Sequence, residues 1–223
     1  MIKAVIFDMY ETLVTQFRSP LYYGAHIAED VGIPENEFLP SWRATEYSRA
    51  TGKMTLEEAI EKLLIEHHVY SKDLYEKIVK KRISIQADCF CHLHEEIVPM
   101  LSALKKRRMQ IGLISNCFSE EAEIIRKSEL YSYFDVVCLS YEEGMMKPEH
   151  EIFQRCMNKL GVTAKECLYV GDGGSDELET ARTLGMQAVQ AVWYRCPEGE
   201  GRMTELRPEF EQVESPLEIL EKI

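Results

Sequence analysis

The sequence predicts an α/β fold, a Rossmann-like parallel sheet with helices on both faces, interrupted by an inserted all-helical unit. Three observations carry this. Residues 2–7 (Ile-Lys-Ala-Val-Ile-Phe) are a short apolar run, as a strand buried on both faces requires. From residue 94 onward, apolar runs and helical stretches alternate, the rhythm of strand–helix–strand units. Between these two regions, up to about residue 86, the patterning is helical throughout.

In chain order, the first strand leads into a polar loop that ends near Pro20. Helices are then expected over 21–31, 36–50, 55–69 and 71–86, divided by Gly32-Ile-Pro34, Gly52 and Ser71. Thr55-Leu-Glu-Glu58 has the form of a capping box, in which Thr and Glu satisfy each other's free amides at a helix start. The later strands are Ile111–Ser115, Val136–Ser140, Cys167–Gly171 and Ala188–Trp193, with helices over 95–108, 119–129, 149–160 and 175–184. The expected division is a core of residues 1–15 and 89–223 and a helical cap of residues 16–88. Residues 197–208 read as a surface loop, and no internal repeat or low-complexity segment is present.

The composition narrows the function. With 26 basic and 38 acidic side chains in 223 residues, the formal charge is −12, so a nucleic-acid footprint is absent and a polyanion is repelled except at a locally positive site. No apolar run approaches the roughly 20 residues that cross a membrane, and the N-terminal strand carries no signal-peptide pattern. Seven cysteines, an odd number scattered among apolar neighbours, fit a reducing cytoplasm better than a disulfide framework.

Polar residues gather where the strands end. Asp8 follows the first strand, with Tyr10, Glu11 and Thr12 close behind; Ser115-Asn116 ends the second, Lys147-Pro148 precedes a helix, and Asp172 and Asp176 follow Cys167–Gly171. Open α/β sheets bind ligands at these carboxyl ends. Four such motifs, in this order around a helical insert, resemble the haloacid dehalogenase superfamily of hydrolases, and the resemblance covers nearly the whole chain. It implies that Asp8 is a nucleophile, forming a covalent intermediate that water hydrolyses. It also implies a Mg²⁺ ion held by the Asp8 side chain, the Tyr10 main-chain oxygen and the Asp172 side chain, with Asp176 behind them orienting a metal-bound water or Lys147. Ser115 and the Asn116 amide would hold the transferred group, and Lys147 would balance its charge.

Tyr10 departs from the phosphatase pattern, in which an aspartate at this place acts as general acid and base. Tyrosine there is a feature of the superfamily's dehalogenases, which work without metal because a halide leaves without a proton. The acidic pair at Asp172 and Asp176 argues the other way, since carboxylates crowded together raise each other's pKa unless a cation binds. The expected function is therefore a Mg²⁺-dependent phosphatase acting on a small phosphorylated metabolite. The alternatives are a 2-haloacid dehalogenase and a weak or inactive relative that binds a phosphorylated ligand. Oligomeric state is left open.

Three further features read as structural. Cys89-Phe-Cys91-His92-Leu-His94 fits no zinc spacing and is expected as a hinge or partly buried strand. Cys117 reads as buried beside the site, and Arg43 and Arg49, near Trp42 and Tyr47, as a solvated helix face.

Overall fold

The structure, a computed structural model, describes residues 1–195 and 205–223. Its element order is β1 (Ala4–Phe7), α1 (Gly24–Val31), α2 (Glu35–Ala44), α3 (Glu46–Ala50), α4 (Leu56–Glu66), α5 (Lys72–Asp88), α6 (Ile97–Lys106), β2 (Gln110–Ser115), α7 (Ser119–Lys127), β3 (Val136–Leu139), α8 (Ser140–Glu143), α9 (His150–Leu160), β4 (Cys167–Gly171), α10 (Glu177–Thr183), β5 (Gln187–Ala191) and β6 (Glu211–Val213). The six strands form one parallel sheet in the order β3-β2-β1-β4-β5-β6. β1 lies between β2 and β4, with Phe7 level with Leu113 and Val170. The register therefore brings Asp8, Ser115-Asn116 and Asp172 together at the carboxyl ends of adjacent strands.

Alternation along β1 serves two apolar layers. Val5 and Phe7 pack with Ile97, Leu101, Leu113 and Val170 on one face, while Ala4 and Ile6 pack with Phe153, Cys156 and Tyr169 on the other. A strand buried on both faces has no polar side, which is why its sequence is apolar throughout. Helices α1 to α5 bury a separate cluster, including Tyr22, Ile27, Phe38, Leu56, Leu63 and Ile78, so the helical unit carries its own core. The Thr55 capping box forms as expected: its hydroxyl accepts from the Glu58 amide at 3.1 Å, and its amide donates to Glu58 at 2.8 Å.

Some expectations are corrected. The helix expected over 36–50 breaks at Thr45, whose hydroxyl donates to the Trp42 carbonyl at 2.7 Å, a local bond that competes with helix continuation. The strand expected over 188–193 ends at Ala191, because Trp193 and Tyr194 turn to hold the loop after Asp8, donating to the Thr12 carbonyl at 2.8 Å and the Leu13 carbonyl at 3.2 Å. Cys89–Cys91 continues α5 as a 3₁₀ turn rather than a strand, with the Cys89 thiol donating to the Ile85 carbonyl. The expected surface loop at 197–208 lies mostly outside the described residues. The six described cysteines are free thiols, and no helix among the described residues is long and apolar enough to cross a membrane.

Candidate active site

Asp8 leaves β1 into a tight loop in which the Leu13 and Val14 amides donate to the Met9 carbonyl at 2.8 and 3.0 Å. This turn keeps Asp8 at the carboxyl end of β1, almost fully buried. Lys147 Nζ lies 2.6 Å from Asp8 Oδ1, and the Met9 amide donates to the same oxygen at 2.7 Å. Among the described residues no donor to Asp8 Oδ2 is found, so that oxygen is the one left for a ligand.

Lys147 reaches Asp8 because Asn116 clamps its backbone. The Asn116 amide group donates to the Lys147 carbonyl at 3.0 Å and accepts from the Lys147 amide at 2.8 Å. Ser115, at the end of β2, is wholly buried, and its hydroxyl makes a long 3.4 Å contact to the Asn116 carbonyl. Asp8, Asn116, Lys147 and Asp172 line one cavity of about 380 Å³ together with Tyr10, Glu11, Gln16 and Tyr23; Ser115 does not reach it.

The loop after β4 supplies the other acids. Asp172 Oδ1 accepts from the Gly174 amide at 3.1 Å. The acid placed beside it is Glu177, not Asp176. Glu177 is fully buried and accepts from the Gly173 and Ser175 amides, both at 2.7 Å. It can do so because Gly171 has no side chain: a Cβ there would lie 2.8 Å from Glu177 Oε1. Asp176 adopts a left-handed backbone with φ 52°, and its exposed carboxylate faces Arg207 at 3.4 Å. The sequence reading missed Glu177, although its place four residues before buried Ala181 puts it on the inner face of α10.

Carboxylate oxygens of Asp8, Asp172 and Glu177 all lie within 4.8 Å of one another. Burial pushes the Asp8 carboxyl up to about 7; Lys147 opposes the shift, while Glu177 and Asp172 add to it. Burial alone would lower the Lys147 ammonium, but the attraction of Asp8 and Glu177 outweighs it and holds the lysine charged. The Tyr10 hydroxyl is buried with no partner, and desolvation followed by the Glu121 charge raises its pKa well above 10.0. It is no proton donor near neutrality.

Tyr10, Gln16, Tyr23 and Asn116 also line a second cavity of about 540 Å³ between the helical unit and the core, which takes in Trp42, Arg43, Arg49, Arg82, Phe118 and Glu121. Arg43 is exposed, as expected of a solvated helix face, but Arg49 is buried. Arg82 is buried too, within hydrogen-bond reach of Glu120 at 3.1 Å and Glu121 at 2.7 Å. Residues from distant elements build this region, and no local pattern announces them. Cys117 is buried as expected, its thiol pushed up by burial.

A buried aspartate paired with a buried lysine, with two further buried acids beside them, lies at the carboxyl ends of the central strands of the parallel sheet. The chain belongs to the haloacid dehalogenase-like hydrolases: that family's model matches residues 2–185. Among known proteins, it is 24% identical to a glyceraldehyde 3-phosphate phosphatase of Methanopyrus kandleri, over 100% of this chain and 97% of the relative. It is 27% identical to a phosphorylated carbohydrates phosphatase of Thermotoga maritima, over 99% of each. Among solved structures, a family enzyme of Bacteroides thetaiotaomicron in complex with magnesium and inorganic phosphate superposes with a TM-score of 0.64 at 18% identity, covering 89% of this chain and 97% of that one. A 2-haloacid dehalogenase of Pseudomonas syringae superposes with a TM-score of 0.68 at 20% identity, covering 99% and 97%. At such identities the two structures share the fold with this chain, and nothing narrower follows from them.

Proposed function

We propose that this chain is a Mg²⁺-dependent phosphatase of small phosphorylated metabolites, with Asp8 as nucleophile and residues 16–88 as the cap over it. The observation that carries the reading is the buried convergence of Asp8, Asp172 and Glu177 beside Lys147. An all-oxygen donor set fits a hard divalent cation. The Asp8 and Asp172 side chains and the Tyr10 carbonyl would hold it, with Glu177 fixing the loop through the Gly173 and Ser175 amides. When bound, the ion supplies positive charge against the phosphoryl oxygens and draws the Asp8 pKa down.

The rest follows from this chain's own residues. The Asp8 carboxylate attacks phosphorus, the P–O bond to the leaving group breaks, its electron pair goes to the leaving oxygen, which takes a proton from water, and an aspartyl phosphate remains. Lys147 neutralises charge on Asp8 and on the transferred group, the Asn116 amide holds one of its oxygens, and buried Ser115 supports that strand end. Water then attacks phosphorus, the bond to Asp8 breaks, and phosphate leaves with the Asp8 carboxylate restored and a proton passed to solvent. Closure of the cap would keep bulk water from the intermediate. Both named relatives above are phosphatases, which supports the same class.

A second reading, 2-haloacid dehalogenation, is favoured by Tyr10 alone. The two separate in one assay: phosphomonoesters and 2-haloacids are incubated with Mg²⁺ or with chelator, and phosphate and halide are scored separately. The phosphatase reading expects phosphate release that needs Mg²⁺ and disappears in Asp8→Asn. Halide release that persists in chelator would replace it with the dehalogenase. Tight binding of a phosphate ester with no turnover of either class would mark a binding relative.

A further inference from the structure

The loop that follows β4 has two adjacent glycines, Gly173 and Gly174, directly after Asp172, and Gly173 adopts a left-handed φ of 91°. Glycine has more backbone freedom to lose than any other residue, yet a carboxylate that holds a cation must stay in place. Glu177 fastens this segment through the Gly173 and Ser175 amides. The carbonyls of Asp172 and Gly173 are fastened from elsewhere in the chain.

Gln190, in β5, is wholly buried and lies level with Gly171, one residue before Asp172. Its Nε2 donates to the Asp172 carbonyl at 2.9 Å and to the Glu205 carbonyl at 2.8 Å, and its Oε1 accepts from the Arg207 amide at 2.9 Å. A buried glutamine between the apolar Val189 and Ala191 is destabilising unless its polar atoms are bonded. All three bonds here go to the Asp172 loop or to the segment that brings up Arg207. Arg207 Nη2 in turn donates to the Gly173 carbonyl at 3.2 Å and lies 3.4 Å from Asp176, while Nη1 lies 3.3 Å from Glu179. Neither Gln190 nor Arg207 lines the cavity that holds Asp8, so both act on it through the loop.

We propose that Gln190 and Arg207 are positioning residues for the Asp172 carboxylate, and that by holding the Asp172 and Gly173 carbonyls they set the site's preference for Mg²⁺ over a larger divalent cation. The proposal rests on the metal site of the phosphatase reading and adds the residues that make it rigid. Mg²⁺ demands near-octahedral oxygens at about 2.0–2.1 Å, whereas Ca²⁺ accepts six to eight at about 2.3–2.6 Å in looser arrangements. A loop released from its fasteners therefore loses Mg²⁺ more than Ca²⁺. Charge alone acts differently: removing the Arg207 cation favours both ions alike, because both carry two charges.

The test is calorimetric titration of the parent, Gln190→Met, Arg207→Met and Asp172→Asn with Mg²⁺ and with Ca²⁺, read as the ratio of the two Kd values. Gln190→Met keeps the length of the side chain and removes all three of its bonds. Arg207→Met removes the bond to Gly173 from a partly exposed position, so it decides the matter where Gln190→Met does not fold. Each should lower the preference for Mg²⁺ about threefold or more, since contacts behind a metal ligand are worth about 10–100-fold in affinity. A merely structural role would lower folding stability and leave the ratio where it is in the parent. A smaller fall in either variant that folds overturns the proposal, and Mg²⁺ binding that is lost in Asp172→Asn then leaves the metal site itself standing. Mg²⁺ binding that is unchanged in Asp172→Asn refutes the metal site and the proposal with it.

Discussion

Arg82→Met should be among the most damaging single changes outside the Asp8 cluster, and its cost should depend on pH. The guanidinium joins α5 of the helical unit to the start of α7 in the core, with Nε 3.1 Å from Glu120, Nη2 2.7 Å from Glu121 and Nη1 2.9 Å from the Tyr22 carbonyl. All three side chains of this triad are buried. Without Arg82, Glu121 keeps the Phe118 amide at 3.0 Å and Glu120 keeps a weak 3.4 Å contact to Ser119. Breaking a buried pair in this way costs about 3–5 kcal/mol, a large share of the roughly 5–15 kcal/mol that holds a domain together. The sign of the pH effect follows from Glu121. Burial, against the pull of Arg82, raises its folded pKa from 4.5 to about 7. The folded state therefore binds the extra proton, and this group's contribution to stability falls as pH rises through that window. Removing Arg82 takes away the lowering influence, so the window extends upward. Urea unfolding should show the full penalty near about pH 8 and a smaller one near about pH 5.5, where the Glu121 carboxyl is neutral. A penalty under about 1 kcal/mol at the higher pH, or one equal at both, would refute the triad as the polar seam between the two units.

Two further outcomes follow from the site. Glu177→Gln should weaken Mg²⁺ binding by at least about tenfold, because second-layer contacts of this kind are worth about 10–100-fold in metal affinity, while Asp176→Asn should change it little; titration calorimetry decides, and equal effects would return Asp176 to the site. Because Tyr10 cannot donate a proton near neutrality, aryl phosphates should be hydrolysed much faster than alkyl phosphates. Comparable kcat values for the two classes would mean that another group protonates the leaving oxygen.

Much of the fold is legible because burial leaves a mark on composition. β1, β2 and β4 lie in the middle of the sheet, covered on both faces, so their sequences are apolar runs bounded by polar residues. β6 has three residues and sits at the sheet edge, too short to show any period. α8, with four residues, is equally silent. At the site, Asp8 and Asp172 are readable because each is the first acid after such a run. The Asn116 clamp on the Lys147 backbone is not, since it joins residues 31 apart in sequence through a loop. Arg49 and Arg82 fail for a related reason. An arginine amid polar helix residues reads as solvated, and only the packing of the helical unit against α7 buries it.

The choice between Asp176 and Glu177 shows how fine this limit is. Two acids stand side by side at a helix start, where both are favoured by the helix dipole, so composition cannot separate them. What separates them is phase. Ala181 faces the core, and Glu177 precedes it by four residues, on the same side of α10. Asp176 falls at the cap, where its left-handed backbone turns its side chain toward Arg207. The glycine at 171 then completes the argument, because only a residue without Cβ leaves room for the Glu177 carboxylate against the strand end. An acid chosen by spacing from Asp172 alone thus lands one residue short, while an acid chosen by the inner face of the following helix lands beside Asp8.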